Sequence, residues 1–310
     1  MVTGSDWLSR LPLITTMPPG EAAAKLRDIG EDDMADALAE ATQDAPETFG
    51  WVPHFGAGSG EWLSRAHTIG YLAPVDGPAS EPLPIRHAAN IRPDDTLNGA
   101  RIKLTLDELR VADYPGHGRH DILFSFSASN QTERGDSQEL HFSTHYDVAD
   151  GQRGAIQGRP IFVGLKVGGE GIHLKCATVN VANDDDEKLL KFLDGDAFQA
   201  GLQLLTTAQP ALAPFSALAV GLTETIAKRS RNVPVQTVDL GLDFSSIAPR
   251  PRLAQGSYIA VQIPGGLRTD WHWDEWVFNP LSGDIVNLNQ PGMLIPYNYF
   301  IISVSRHNGS

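Results

Sequence analysis

Cysteine is nearly absent: Cys176 stands alone in 310 residues. That excludes a disulfide framework and leaves a reducing, cytoplasmic setting as the expectation. It also limits any zinc site to a single thiolate ligand. Cys176 lies in the apolar run 172–181 and reads as a small core residue rather than a reactive thiol. Basic residues are scarce as well. Lys and Arg number 24 against 38 Asp and Glu, a formal charge of −14. A field of that sign repels phosphate backbones and anionic headgroups, so neither nucleic acid nor a bare lipid surface is the expected partner. No stretch of about 18 strongly apolar residues occurs, so no ordinary membrane-spanning helix is expected. Residues 1–7 carry no basic start leading into an apolar core, so no export signal is expected. Motifs of nucleotide and acyl-transfer chemistry are missing too. The glycine-rich pieces 56–60 and 168–169 lack the Lys-Ser/Thr of a phosphate loop, and no Gly-x-Ser-x-Gly marks a nucleophile elbow.

What the chain does have is apolar residues in a strand rhythm. Hydrophobic residues make up 41% and charged residues 20%, enough apolar material for a core. Residues 18–43 read as a helical hairpin broken at Gly30, with Leu26, Ile29, Met34 and Leu38 on one apolar face. The proline-rich tract 72–99 reads as an extended connector. From residue 100 the period becomes two. Ile102, Leu104 and Leu106 alternate with polar neighbours, as do Phe124 with Phe126 and Leu140 with Phe142 and Tyr146. Turn signals separate these runs at Pro115-Gly116, Gly135-Asp136 and Asp150-Gly151. A helical rhythm then occupies 187–229, with Leu189, Phe192 and Leu193 followed by Leu218, Leu222 and Ile226. The acids of 183–187 read as its N-cap and first turn. Strand patterns resume at 233–244, 256–263, 276–278 and 294–304. The pattern predicts a mainly β fold: an antiparallel β-sandwich of eight or nine strands with an α-helical insert at 187–229 and an N-terminal helical hairpin. It divides the chain into residues 1–98, hairpin and connector, and residues 99–310, the sandwich.

Two acid-bearing loops are the candidate site. Asp113 and Asp121 flank the turn between the first two strands of the sandwich, and Asp270 and Asp274 lie between two late ones. Loops at one end of a sandwich converge, and Ca²⁺ takes six to eight loop-borne oxygens, so these four carboxylates are the expected metal ligands. Trp271, Trp273 and Trp276 crowd the second loop and form the expected partner-binding edge. The histidines of the strand at 140–146, His141 and His145, are about 13 Å apart along a strand, too far for one metal, and read as polar positions on a solvent face.

The order Asp113-x-x-Gly116 followed by Asp121, with a later acidic loop at Asp270 and Asp274, resembles C2 domains. Those are eight-stranded sandwiches whose top loops carry calcium. The resemblance covers about residues 100–306 and implies the same four carboxylates as ligands. The spacing departs from that pattern by two residues in the first loop, and the helical insert is foreign to it. A second partial likeness is to the aromatic-x-Thr-His-aromatic motif of perforin-like pore formers, carried by Phe142-Ser-Thr-His-Tyr146. The expected function is that of a non-enzymatic binding or regulatory protein that recognises a protein partner, gated by calcium. The alternatives are a membrane-active effector using the uncharged stretch 197–223, and a metal-dependent hydrolase using the histidines and acids.

Overall fold

The computed structural model describes residues 65–308, apart from 76, 132–136, 155, 157, 183–189, 191–201, 204–225, 227–230, 246–248, 265–266, 268–270 and 291. The hairpin expected at 18–43 lies outside the described residues, as does nearly all of the insert at 187–229. Among the described residues the chain is mainly antiparallel β-sheet, and no helix reaches seven residues. None there is long and apolar enough to cross a membrane.

The strands in chain order are β1 (Ala66–Leu72), β2 (Leu83–Pro84), β3 (Arg86–His87), β4 (Arg101–Arg110), β5 (Arg119–Gln131), β6 (Ser137–Ala149), β7 (Arg159–Lys166), β8 (Gly171–Val181), β9 (Leu202–Gln203), β10 (Val233–Asp243), β11 (Gly256–Ile263), β12 (Trp276–Asn279), β13 (Asp284–Asn287) and β14 (Tyr299–Arg306). They form three sheets. One runs β3-β1-β11-β14-β4-β7-β9, a second β10-β8-β5-β6, and a third β13-β12-β2. All pairs are antiparallel except β7 with β9.

The seven- and four-stranded sheets share one core, an arrangement compatible with a β-sandwich. Alternation decides which residues enter it. From β5 come Ile122, Phe124, Phe126 and Ala128; from β4, Ile102, Leu104 and Leu106; from β14, Phe300, Ile302 and Val304. Phe124 stacks on Phe126 at 4.3 Å and meets Phe300 edge-on at 5.0 Å, linking the two sheets. Cys176 is buried here, as its apolar context predicted, and burial lifts its thiol pKa well above the ordinary value.

Two departures from the sequence reading shape the molecule. First, a third layer covers the back of the seven-stranded sheet. In β11, Ile259, Val261 and Ile263 point away from the shared core, and in β14 so do Tyr299 and Ile301. They pack against Ile85, Trp273, Trp276, Ile285 and Ile295. A strand buried on both faces reads as a continuous apolar run instead of an alternation. Second, β1 sits inside the large sheet, paired along all seven residues with β11. Its Gly70 is required there: a Cβ would come within 2.7 Å of Ile85 Cγ2 and 2.8 Å of Trp273 Cη2. The outer face of the four-stranded sheet is buried too. Ser125 is 3% exposed and Ser143 fully buried. Leu123, Val179 and Val181 on that face belong to one cluster with Leu190 and Ile226, the two buried residues described in the insert.

Candidate functional site

The expected ligand set is spread over three places. Asp113 follows β4. Its backbone N–H and that of Ala112 donate to Asn298 Oδ1 at 2.9 and 2.8 Å, while its exposed carboxylate meets Arg65 at 3.4 Å. Asp121 lies in β5, with its carboxylate 3.1 Å from His145 Nε2. Asp274 is exposed in the single turn Trp273–Glu275 that precedes β12. Asp270 lies outside the described residues. Among the described residues no three His, Cys, Asp or Glu side chains are grouped to hold a metal ion.

The tryptophans belong mainly to the third layer's interior. Trp273 and Trp276 are 4% and 7% exposed, and Trp273 Nε1 donates to Thr68 Oγ1 at 3.1 Å. Trp271 is half-buried, stacked parallel on Trp276 at 5.8 Å and set edge-on to Tyr297. It is the one member of the trio with surface to offer. The histidines also differ from expectation. His141 is buried, and His145 is held by Asp121, because the face of β6 that carries them is covered. The insert, on which the membrane-active reading rests, is outside the described residues.

A different cluster is assembled at a bulge in β4. Opposite β14 the register runs Glu108↔Ile301 and then Leu106↔Ile302, leaving Asp107 as an extra residue. A bulge of this kind turns neighbouring side chains to one side. Asp107 and Glu108 both face away from the shared core. Asp107 accepts from Thr105 Oγ1 at 3.1 Å and from Ser303 Oγ. Glu108 accepts from Tyr299 Oη at 2.6 Å and meets Arg153 Nη1 at 3.5 Å. Burial raises both carboxyl pKa values above the ordinary range, and the hydroxyls and Arg153 only partly offset it. Tyr299 rises as well, through burial first and the Glu108 charge second.

Arg153 ties this cluster to the third layer. Its Nη2 donates to Ser282 O at 2.5 Å, in the turn between β12 and β13, and its Nε lies 3.6 Å from Asp284 Oδ1 at the start of β13. The fit is close: a Cβ on Gly283 would fall 2.1 Å from Arg153 Nη1, and the φ of +72° at that glycine suits a residue without one. A cleft of about 320 Å³ opens here, lined by Asp107, Glu108, Gln152, Arg153, Gly154 and Ile156. Leu281, the residue before Arg153's acceptor Ser282, is 77% exposed. The cleft is lined by two carboxylates and one guanidinium, and that guanidinium also meets Asp284 outside the lining.

The sequence carries one signal for this site. Core residues of β4 fall at 102, 104 and 106, then at 109 and 111. That change of phase from even to odd marks one inserted residue, and the inserted region is Asp107-Glu108. Arg153 and Asp284 have no local signal, since they meet only through tertiary pairing. No protein family matches the chain, and neither a curated protein nor a solved structure matches it.

Proposed function

We propose that the chain is a β-sandwich recognition module that binds a protein partner through the cleft at the β4 bulge. The carrying observation is the cleft lined by Asp107 and Glu108, joined through Arg153 to Asp284 and Ser282, with the exposed Leu281 next to Ser282 in the chain. Such a surface is complementary to a Lys or Arg side chain flanked by an apolar residue. The cation enters the cleft and the apolar neighbour covers Leu281. Partly desolvated carboxylates attract a cation more strongly than exposed ones, because the local dielectric is lower. The chain's net charge of −14 steers basic partners toward it. Arg153 holds the two walls at a fixed spacing, so little ordering is needed on binding.

A peptide array tests the reading. Peptides with Lys or Arg next to Leu or Ile are expected to bind more tightly than neutral counterparts, with affinity falling as salt rises. Leu281→Ser and Asp107→Asn should each weaken binding, while Leu288→Ser, an exposed apolar position outside the cleft, should not. Equal binding of basic and neutral peptides would reject it.

A further inference from the structure

Two arginines on neighbouring sheets present the same edge to different surroundings. Arg119 sends Nε to Asp147 Oδ1 at 2.9 Å and Nη2 to Asp147 Oδ2 at 2.8 Å, a side-on fork on a carboxylate. Arg159 has that fork buried and empty. It opens β7 opposite Leu106, on the face turned to the shared core. Its guanidinium carbon lies 5.6 Å from the centroid of the Tyr146 ring on β6. Nε and Nη2 are both buried, and neither has a hydrogen-bond partner. Among the described residues no carboxylate pairs with it. Thr144 precedes Tyr146 by two residues, on the same face of β6. It is 1% exposed, and its Oγ1 also lacks a partner.

Buried donors on a charged group are costly to leave unmet, so such a fork calls for an acceptor. We infer that Arg159 is the receptor for a carboxylate ligand that enters between β6 and β7. The two oxygens take the Nε and Nη2 hydrogens, and the Thr144 hydroxyl supplies a further donor. A planar carboxylate matches the fork in geometry. Its single charge also matches the single guanidinium, whereas a phosphate dianion would leave excess negative charge in an already acidic chain. Arg159 is half-buried, so the site stays open to solvent. The inference is independent of the peptide-binding reading, because no residue lining the β4 cleft takes part.

The test is an NMR titration of the full chain labelled with ¹⁵N, following the arginine Nε–H resonances. The probes are sodium acetate, sodium succinate, a short peptide with a free C-terminal carboxylate, and the same peptide as its amide. Sodium chloride at equal ionic strength is the control. The expected result is a saturable shift of the Arg159 resonance, identified by its loss in Arg159→Lys. Affinity, read from the backbone amide shifts of β6 and β7, should fall about tenfold in Arg159→Lys, which keeps the charge and removes the fork, and should also fall in Thr144→Val. A response to acetate or succinate marks a small acid as the ligand; a response to the peptide acid but not its amide marks a chain terminus. Either supports the inference. No saturable shift with any carboxylate, an equal shift with chloride, or an unchanged affinity in Thr144→Val would overturn it. Should Arg159→Lys fail to fold, the wild-type titration and Thr144→Val still decide.

Discussion

At the scale of single residues, buried titrating groups give this chain a distinctive dependence on pH. Asp107 and Glu108 have carboxyl pKa values raised by burial. The folded state therefore holds their protons more tightly than the unfolded state does. Their contribution is fully present below the ordinary carboxylate pKa and is lost as pH rises through the raised one. Asp107→Asn should accordingly stabilise the protein at neutral pH relative to its effect near pH 4, read from urea melts at both pH values. Equal effects at both would contradict the assignment. His67 runs the other way. Burial lowers its pKa from 6.5 to about 4, so the unfolded chain binds the proton first. Stability from His67 is lost as pH falls from 6.5 toward 4, by an amount on the order of 3 kcal/mol. His67→Gln should flatten that part of the curve. The Tyr299 hydroxyl has one purpose visible in the structure, its 2.6 Å bond to Glu108. Tyr299→Phe should cost about 1–3 kcal/mol, because it leaves a buried carboxylate short of a donor.

At the scale of elements, the shared core was legible and the third layer was not. The strands β4, β5, β6, β8 and β10 announce themselves by alternation, while β7 and β14 read as apolar runs. Core strand β1 was hidden because both its faces are covered and Gly70 interrupts its apolar pattern. Fourteen strands stand among the described residues against the expected eight or nine, in part because β2, β3, β9 and β13 are two to four residues long and take their identity from their neighbours. Sequence spacing places the four expected carboxylates in loops but assigns none of them a layer. In space Asp113, Asp121 and Asp274 belong to three different sheets or their margins. Arg65 and His145 already stand beside the first two. The account expects millimolar Ca²⁺ to move the melting temperature by less than about 1 °C. A larger rise, abolished by Asp270→Asn with Asp274→Asn, would support the calcium-gated reading. Attachment of the third layer has its own test. Gly70→Ala drives a methyl into Ile85 and Trp273 and should cost about 1–3 kcal/mol. Tryptophan fluorescence should report the loss, since Trp273 and Trp276 lie in that interface.

At the scale of the whole molecule, the charge imbalance and the layering act together. A chain at −14 keeps anionic polymers away and draws basic surfaces toward it. Among the described residues most acids are exposed, but the bulge in β4 draws Asp107 and Glu108 into a partly dry cleft, and Arg153 joins it to Ser282 and Asp284. Arg153 links the cleft on the large sheet to the third layer, which ties the proposed recognition to the intact fold. The most direct measurement is calorimetric titration of the full chain with an acetylated Leu-Arg-Leu amide, against the same peptide with citrulline in place of arginine. The account predicts that the arginine peptide binds, that citrulline abolishes binding, and that Leu281→Ser and Asp107→Asn each weaken it. Indistinguishable heats for the two peptides, or undiminished arginine-peptide binding in both variants, would contradict it.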